Sequence, residues 1–195
     1  MGVSAQKLKP LFLWVVIFGK CFSGVDFAEA MIPGIQPEDI HIAESRPTDL
    51  FVTRGVISGG DQAVENVTIE RIRRSPEVNQ RGYERIVLDL VGHRNGKPVP
   101  LKMPPFFFVG IKSAEKKVDV TVFGNPHLGF DAKSIVSEAK KMAPRSIVKS
   151  IELLPLIDQE QWKFSLQLKE MTGVRVFYLS NHARIIIDLK AKSKR

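Results

Sequence analysis

Arg184, Asn181 and Arg85 are the polar residues of this chain best suited to recognise a ligand. Their guanidinium and amide N–H groups can donate to sugar hydroxyls or to peptide carboxylates, and the same groups can equally brace a fold from within. A second candidate surface is the run Phe106, Phe107 and Phe108 after Pro104-Pro105. Consecutive side chains of a strand point to opposite faces, so Phe107 cannot share a face with its two neighbours. Either this strand is central and apolar on both sides, or a ring is left exposed to stack on sugar or dock a protein. Trp162 and Tyr178 pose the same choice and are expected in the core.

Catalytic chemistry finds no support in the spacing. Beyond the first 30 residues the histidines are His41, His93, His127 and His182, the nearest pair being 34 residues apart, with no His-Glu-x-x-His arrangement to hold zinc. There is no Gly-x-Ser-x-Gly elbow, and Ser58-Gly59-Gly60 reads as a turn. Asp158 with Glu160, and Glu38 with Asp39, have the types needed for acid–base attack on a glycan, but they sit in turn-like or tether-like stretches where carboxylates are normally just solvated. No glycine loop suits a phosphate. The expectation is no catalytic residue, no metal ligand and no cofactor.

The elements that must position these groups begin with a leader. Lys7 and Lys9 precede the apolar run 11–19, Lys20 ends it, and Ala28-Glu29-Ala30 places small residues where a signal peptidase cuts. Nine apolar residues are far short of the roughly twenty that span a bilayer as a helix. Lys20 before Cys21 also disfavours a lipid anchor. A signal peptide over 1–30, cleaved near Ala30, is therefore expected, giving a periplasmic protein with no integral membrane span. Cys21, the single cysteine, departs with the leader, so no disulfide or thiol chemistry is expected.

The whole chain carries 29 Lys and Arg against 21 Asp and Glu, a net charge of +8. Removal of 1–30 leaves 26 against 19, still +7. Such a charge suits ordinary solubility and also a polyanionic wall, an acidic glycan or lipid headgroups. Nucleic acid is discounted, because export removes the chain from it and no recognition helix or stacking-sheet motif is present.

Residues 31–48, with Pro33, Pro37 and Pro47 among polar residues, read as a flexible arm or linker. Residues 49–190 read as one domain and 191–195 as a basic tail. Alternating apolar segments predict about nine strands, over 50–57, 64–72, 83–91, 106–111, 117–123, 147–154, 162–168, 174–179 and 183–189. The first two are expected to form a hairpin across Ser58-Gly59-Gly60-Asp61, and Asn95-Gly96 marks a second tight turn. One amphipathic helix is expected over 131–143, capped by Asp131 and stopped by Pro144. The fold class is all-β, a mainly antiparallel β-sandwich with one short α-helix.

The closing strand puts Ile185, Ile187 and Leu189 on one face and Arg184, Ile186 and Asp188 on the other. With both faces covered it should be central or nearly so, and Arg184 and Asp188 then need partners to offset desolvation. Its phrase also occurs earlier: Arg85-Ile86-Val87-Leu88-Asp89-Leu90 against Arg184-Ile185-Ile186-Ile187-Asp188-Leu189. Paired, structurally equivalent strands are the natural reading.

The strand ending at Leu179, the Ser180-Asn181 turn, Arg184 and the aliphatic-Asp188-Leu189 strand together resemble the closing hairpin of AMIN domains. The earlier strand from Tyr83 to Leu90 is similar to the opening strand of the broader AMIN-like group. His182 and Ala183 depart from that family, which has proline at the turn. The resemblance covers roughly 49–190 and implies a two-sheet sandwich in the bacterial cell envelope. It implies a noncatalytic targeting module that contacts peptidoglycan or localises an envelope machine. The alternatives are an adaptor subunit of a pilus, secretion or motility complex that binds protein, with Phe106 to Phe108 and the arm as its surface, and, more distantly, a small cell-wall hydrolase.

Overall fold

The computed structural model describes residues 36–75, 78–131, 145–153 and 160–191, which all fall within one compact unit, Gln36–Arg195. The expected leader and nearly all of the expected helix lie outside the described residues. A 3-10 turn over Pro37–Asp39 leads into twelve strands. In chain order they are β1 Ile40–Ile42, β2 Arg54–Gly59, β3 Thr68–Arg74, β4 Glu84–Arg94, β5 Lys97–Pro100, β6 Phe107–Lys112, β7 Lys117–Phe123, β8 His127–Leu128, β9 Val148–Leu153, β10 Gln161–Leu168, β11 Thr172–Leu179 and β12 Arg184–Ala191.

Two six-stranded sheets result, so the fold is all-β as the alternation predicts. One has the order β1-β2-β6-β7-β10-β9; the other runs β11-β12-β4-β3-β8, with β5 paired to the end of β4. Pairing is antiparallel except for β1 with β2 and β3 with β8. The period-2 pattern explains the layers: Phe107, Val109 and Ile111, Val118, Val120 and Val122, and Trp162, Phe164 and Leu166 point inward from the first sheet. They meet Ile86, Leu88 and Leu90 of β4 and Ile185, Ile187 and Leu189 of β12 in one apolar cluster. Lys163 and Gln167 stay on the outer face. Among the described residues no helix is long and apolar enough to cross a membrane.

The Asn95-Gly96 turn behaves as expected. Both residues adopt positive φ, 53° and 73°, which matches a two-residue hairpin closing on the Arg94–Lys97 pair.

Two expectations need correction. The segments 50–57 and 64–72 do not pair as a hairpin: β2 belongs to the first sheet and β3 to the second. Gly60, at φ 85°, lies against the Pro105 backbone, and Asp61 N–H donates to the Pro104 carbonyl at 3.0 Å, so the chain crosses between layers there instead of reversing.

The expected arm is also docked over its described part. β1 pairs parallel to β2, Tyr178 N–H donates to the Glu44 carbonyl at 3.0 Å, and Arg175 Nη1 donates to the Thr48 carbonyl at 2.7 Å. Gly55, at φ 107°, lets the Asp39 carbonyl approach so closely that any Cβ would collide with it. Asp39 in turn accepts from Arg54 Nε at 2.9 Å.

Candidate functional site

The repeated phrase pairs with itself. β4 and β12 lie side by side in antiparallel register, Arg85 opposite Asp188 and Arg184 opposite Asp89. Each copy's arginine therefore faces the other copy's aspartate, and a local twofold axis near the Val87–Ile186 pair relates the two ends. Val87 and Ile186 pack with Phe177 on this outer face, beneath the polar groups.

The neighbouring strands extend the symmetry. β11 brings Arg175 opposite Asp188 and Phe177 opposite Ile186, while β3 brings Arg71 opposite Asp89 and Arg73 opposite Val87. A bulge at Glu70, between Ile69 and Arg71 in the register, makes this possible. The extra residue advances the alternation by one step, so Ile69 and Ile72 both keep to the core side while Arg71 and Arg73 swing to the outer face.

One end is sealed. The Asp188 side chain is fully buried and accepts from Arg85 Nε and Nη2 at 2.7 and 3.0 Å and from Arg175 Nε and Nη2 at 3.2 and 2.6 Å. The rings of Phe51, Tyr83 and Phe177 lie 4.6, 5.3 and 5.9 Å from the Arg175 guanidinium, and Arg85 rests over Tyr83 and Phe177. Planar guanidinium groups suit such stacking, which also shields Arg175 and Asp188 from water, while Arg85 keeps one edge toward solvent.

The other end is open. Asp89 accepts from Arg73 Nε and Nη2 at 2.6 and 2.8 Å, with Arg184 Nε at 3.1 Å and Arg71 Nε at 3.5 Å. The Arg71, Arg73 and Arg184 side chains are 60, 48 and 41% exposed, and they line a groove of about 260 Å³ with Glu70, Asp89 and His182. Burial acts to raise the Asp89 carboxyl, but the Arg73 hydrogen bonds and the charges of Arg73, Arg184 and Arg71 outweigh it and hold Asp89 below the ordinary carboxylate range. The same hydrogen bonds raise Arg73, against burial.

The sequence candidates are thus distributed unevenly. Arg184 lines the open groove and Arg85 belongs to the sealed cluster. Asn181 lies in the exposed β11–β12 turn at φ 56°, its backbone N–H donating to Lys102, and does not line the groove. Phe107 is a core residue; Phe106 and Phe108 flank Phe123 at 5.4 Å on the outer face of the other sheet, half-buried. Trp162 is buried against Phe164 and Phe130, and Tyr178 is half-buried.

Arg71, Arg73, Asp89 and Arg175 were not singled out by sequence reasoning. The repeat was the available signal, because two copies paired antiparallel place each arginine on the other's aspartate.

Elsewhere among the described residues, the buried carboxylates Glu84 and Asp39 are held by internal partners. Glu84, fully buried, accepts from the Ile147 and Val148 N–H groups at 2.6 and 3.3 Å and from Ser146 Oγ, with Arg74 Nε at 3.5 Å. Asp39 caps the 3-10 turn and Ser58 sits within β2. Among the described residues no three His, Cys, Asp or Glu side chains cluster as a metal ion requires. Comparison with protein-family models, with curated proteins and with solved structures finds no match to this chain.

Proposed function

We propose that this chain is an exported, noncatalytic binding module of the bacterial envelope that engages the anionic polymer of the cell wall through the open groove. The observation that carries the reading is three half-exposed guanidinium groups converging on a single carboxylate. They leave N–H donors and positive charge directed at solvent on a rigid sheet face. A carboxylate held below its ordinary pKa is a weak base, which favours gripping over proton transfer. The net charge of +7 that remains without residues 1–30, the leader-like pattern of those residues and the AMIN resemblance support the same compartment and the same class of partner.

Sedimentation with purified sacculi tests this. The mature protein is expected in the pellet at low salt and in the supernatant at high salt. Arg184→Ala should weaken retention with the thermal midpoint nearly unchanged. A protein that stays soluble at low salt ends the proposal.

A second reading, an adaptor that binds protein, draws on β1. It is an edge strand of its sheet, and Ile40 and Ile42 are 54 and 80% exposed on it, which suits addition of a partner strand. One dominant crosslinked protein in cells would favour that reading over the wall.

A further inference from the structure

The sealed end serves as an internal template for what the open end lacks. The local twofold exchanges Arg85 with Arg184, Asp188 with Asp89, Arg175 with Arg71 and Phe177 with Arg73. In the sequence phrase Tyr83 corresponds to His182. The sealed end thus has two guanidinium groups for one carboxylate, every N–H toward Asp188 satisfied, and rings closing the top. At the open end a third guanidinium stands where the template has a phenyl ring, and His182 stands where it has Tyr83.

Two oxygens cannot serve three planar forks at once. Arg73 takes both Asp89 oxygens in a bidentate pair, leaving Arg184 with a single contact at 3.1 Å and Arg71 at 3.5 Å. Glu70 does not make up the difference, being exposed and 3.7 Å from Arg71. Arg71 and Arg184 flank Asp89 from the two adjacent strands. Their fixed forks match the two oxygens of a planar carboxylate better than an ammonium or hydroxyl would.

We infer that the open groove receives a second carboxylate, supplied by the ligand and held between Arg71 and Arg184 above Asp89. With it, Arg71 and Arg184 gain a planar acceptor of their own, and Arg73 keeps Asp89. The inference deepens the binding role proposed above and rests on it. The carboxylate can come from the end of a peptide or from an acidic sugar, and the chemistry at the groove is the same.

The test uses the mature full chain labelled at arginine nitrogen, with the Nε–H resonances followed during titration. D-alanyl-D-alanine and glucuronate are the two carboxylate probes; D-alanyl-D-alanine amide is the neutral control and inorganic phosphate the non-planar one. Either acid is expected to shift the Arg71 and Arg184 signals saturably while Arg85 and Arg175, at the sealed end, stay still. The peptide acting alone identifies a stem-peptide source, glucuronate acting alone an acidic sugar, and both acting a general carboxylate seat.

Arg184→Gln should weaken the acid probes at least about tenfold, the loss expected for one charge-assisted hydrogen bond. Arg184→Lys, which keeps the charge without the fork, should recover only part of it. The inference is overturned if the amide binds as well as the acid, if phosphate binds more tightly than either acid, or if the groove signals do not move. Sacculi amidated at their carboxyl groups separate the two levels. Equal retention on native and amidated sacculi ends the carboxylate assignment and leaves the wall-binding module standing. Failure on native sacculi, with the acid probe still seated in the groove, ends the module alone.

Discussion

Replacing Asp188 by asparagine should cost far more stability than the same change at Asp89, although the two residues occupy equivalent places in the repeat. The substitution keeps shape and removes one charge. At Asp188 it strips the counter-ion from two guanidinium groups at once, at a side chain with no solvent exposure, where four hydrogen bonds of 2.6 to 3.2 Å converge. Removing one member of a buried ion pair costs about 3–5 kcal/mol, and here the Arg175 charge left behind, on a side chain only 10% exposed, cannot be rehydrated without opening the structure, though Arg85, 35% exposed, can. At Asp89 the three arginine side chains are 41 to 60% exposed and water can take over, so the cost is about 1 kcal/mol. For a unit of this size each kcal/mol moves the thermal midpoint by about 2–4 °C, giving a drop of about 6–20 °C against one of about 2–4 °C. Urea denaturation of both variants beside the parent, with unchanged slopes, measures the difference. Equal losses at the two positions, or a loss below about 1 kcal/mol at Asp188, refute the distinction between a sealed and an open end.

Acid should act on the open end in a defined direction. Asp89 is held below its ordinary value in the folded chain, so it contributes stability above about pH 4 that disappears as pH falls through the depressed native value. Asp89→Asn should flatten part of the acid limb of a stability-against-pH curve measured from about pH 5 downward, and curves that run parallel contradict the account. The aromatic run should split by face. Phe107→Ala, at a fully buried position, should cost about 3–5 kcal/mol, and Phe108→Ala, half-buried beside Phe123, less than about 1.5 kcal/mol. Unfolding followed by Trp162 fluorescence compares them, and similar costs sink the assignment of faces.

Much of the sandwich is legible because burial on one face imposes period 2. β4, β6, β7, β10, β11 and β12 each carry enough inward aliphatic or aromatic positions to declare themselves. β1 and β8, at three and two residues, are too short to show any period, and β5 is a Lys-Pro-Val-Pro segment that pairs only with the end of β4. The misjudged hairpin has a physical cause: a glycine turn announces a change of direction without saying which sheet receives the next strand.

The site was less visible for a related reason. Extending the alternation of Val67 and Ile69 puts Arg71 inside, and only the bulge at Glu70 reverses it. The repeat announced equivalent strands and left open that they are each other's neighbours. The demand of Arg184 and Asp188 for partners was readable from the closing strand alone; which residues would answer depended on register.

Arg85 and Asp188 are 103 residues apart along the chain, and the groove needs the same late strand as the sealed end. A nascent chain that has not yet added β12 leaves Arg85 without Asp188, although β3 already supplies Arg73 to Asp89, and gathering such distant segments is slow. The proposed ligand seat is complete only once the final hairpin has formed. The open groove is thus a mark of completed folding, and a chain cut short before Arg184 lacks one of its three arginines.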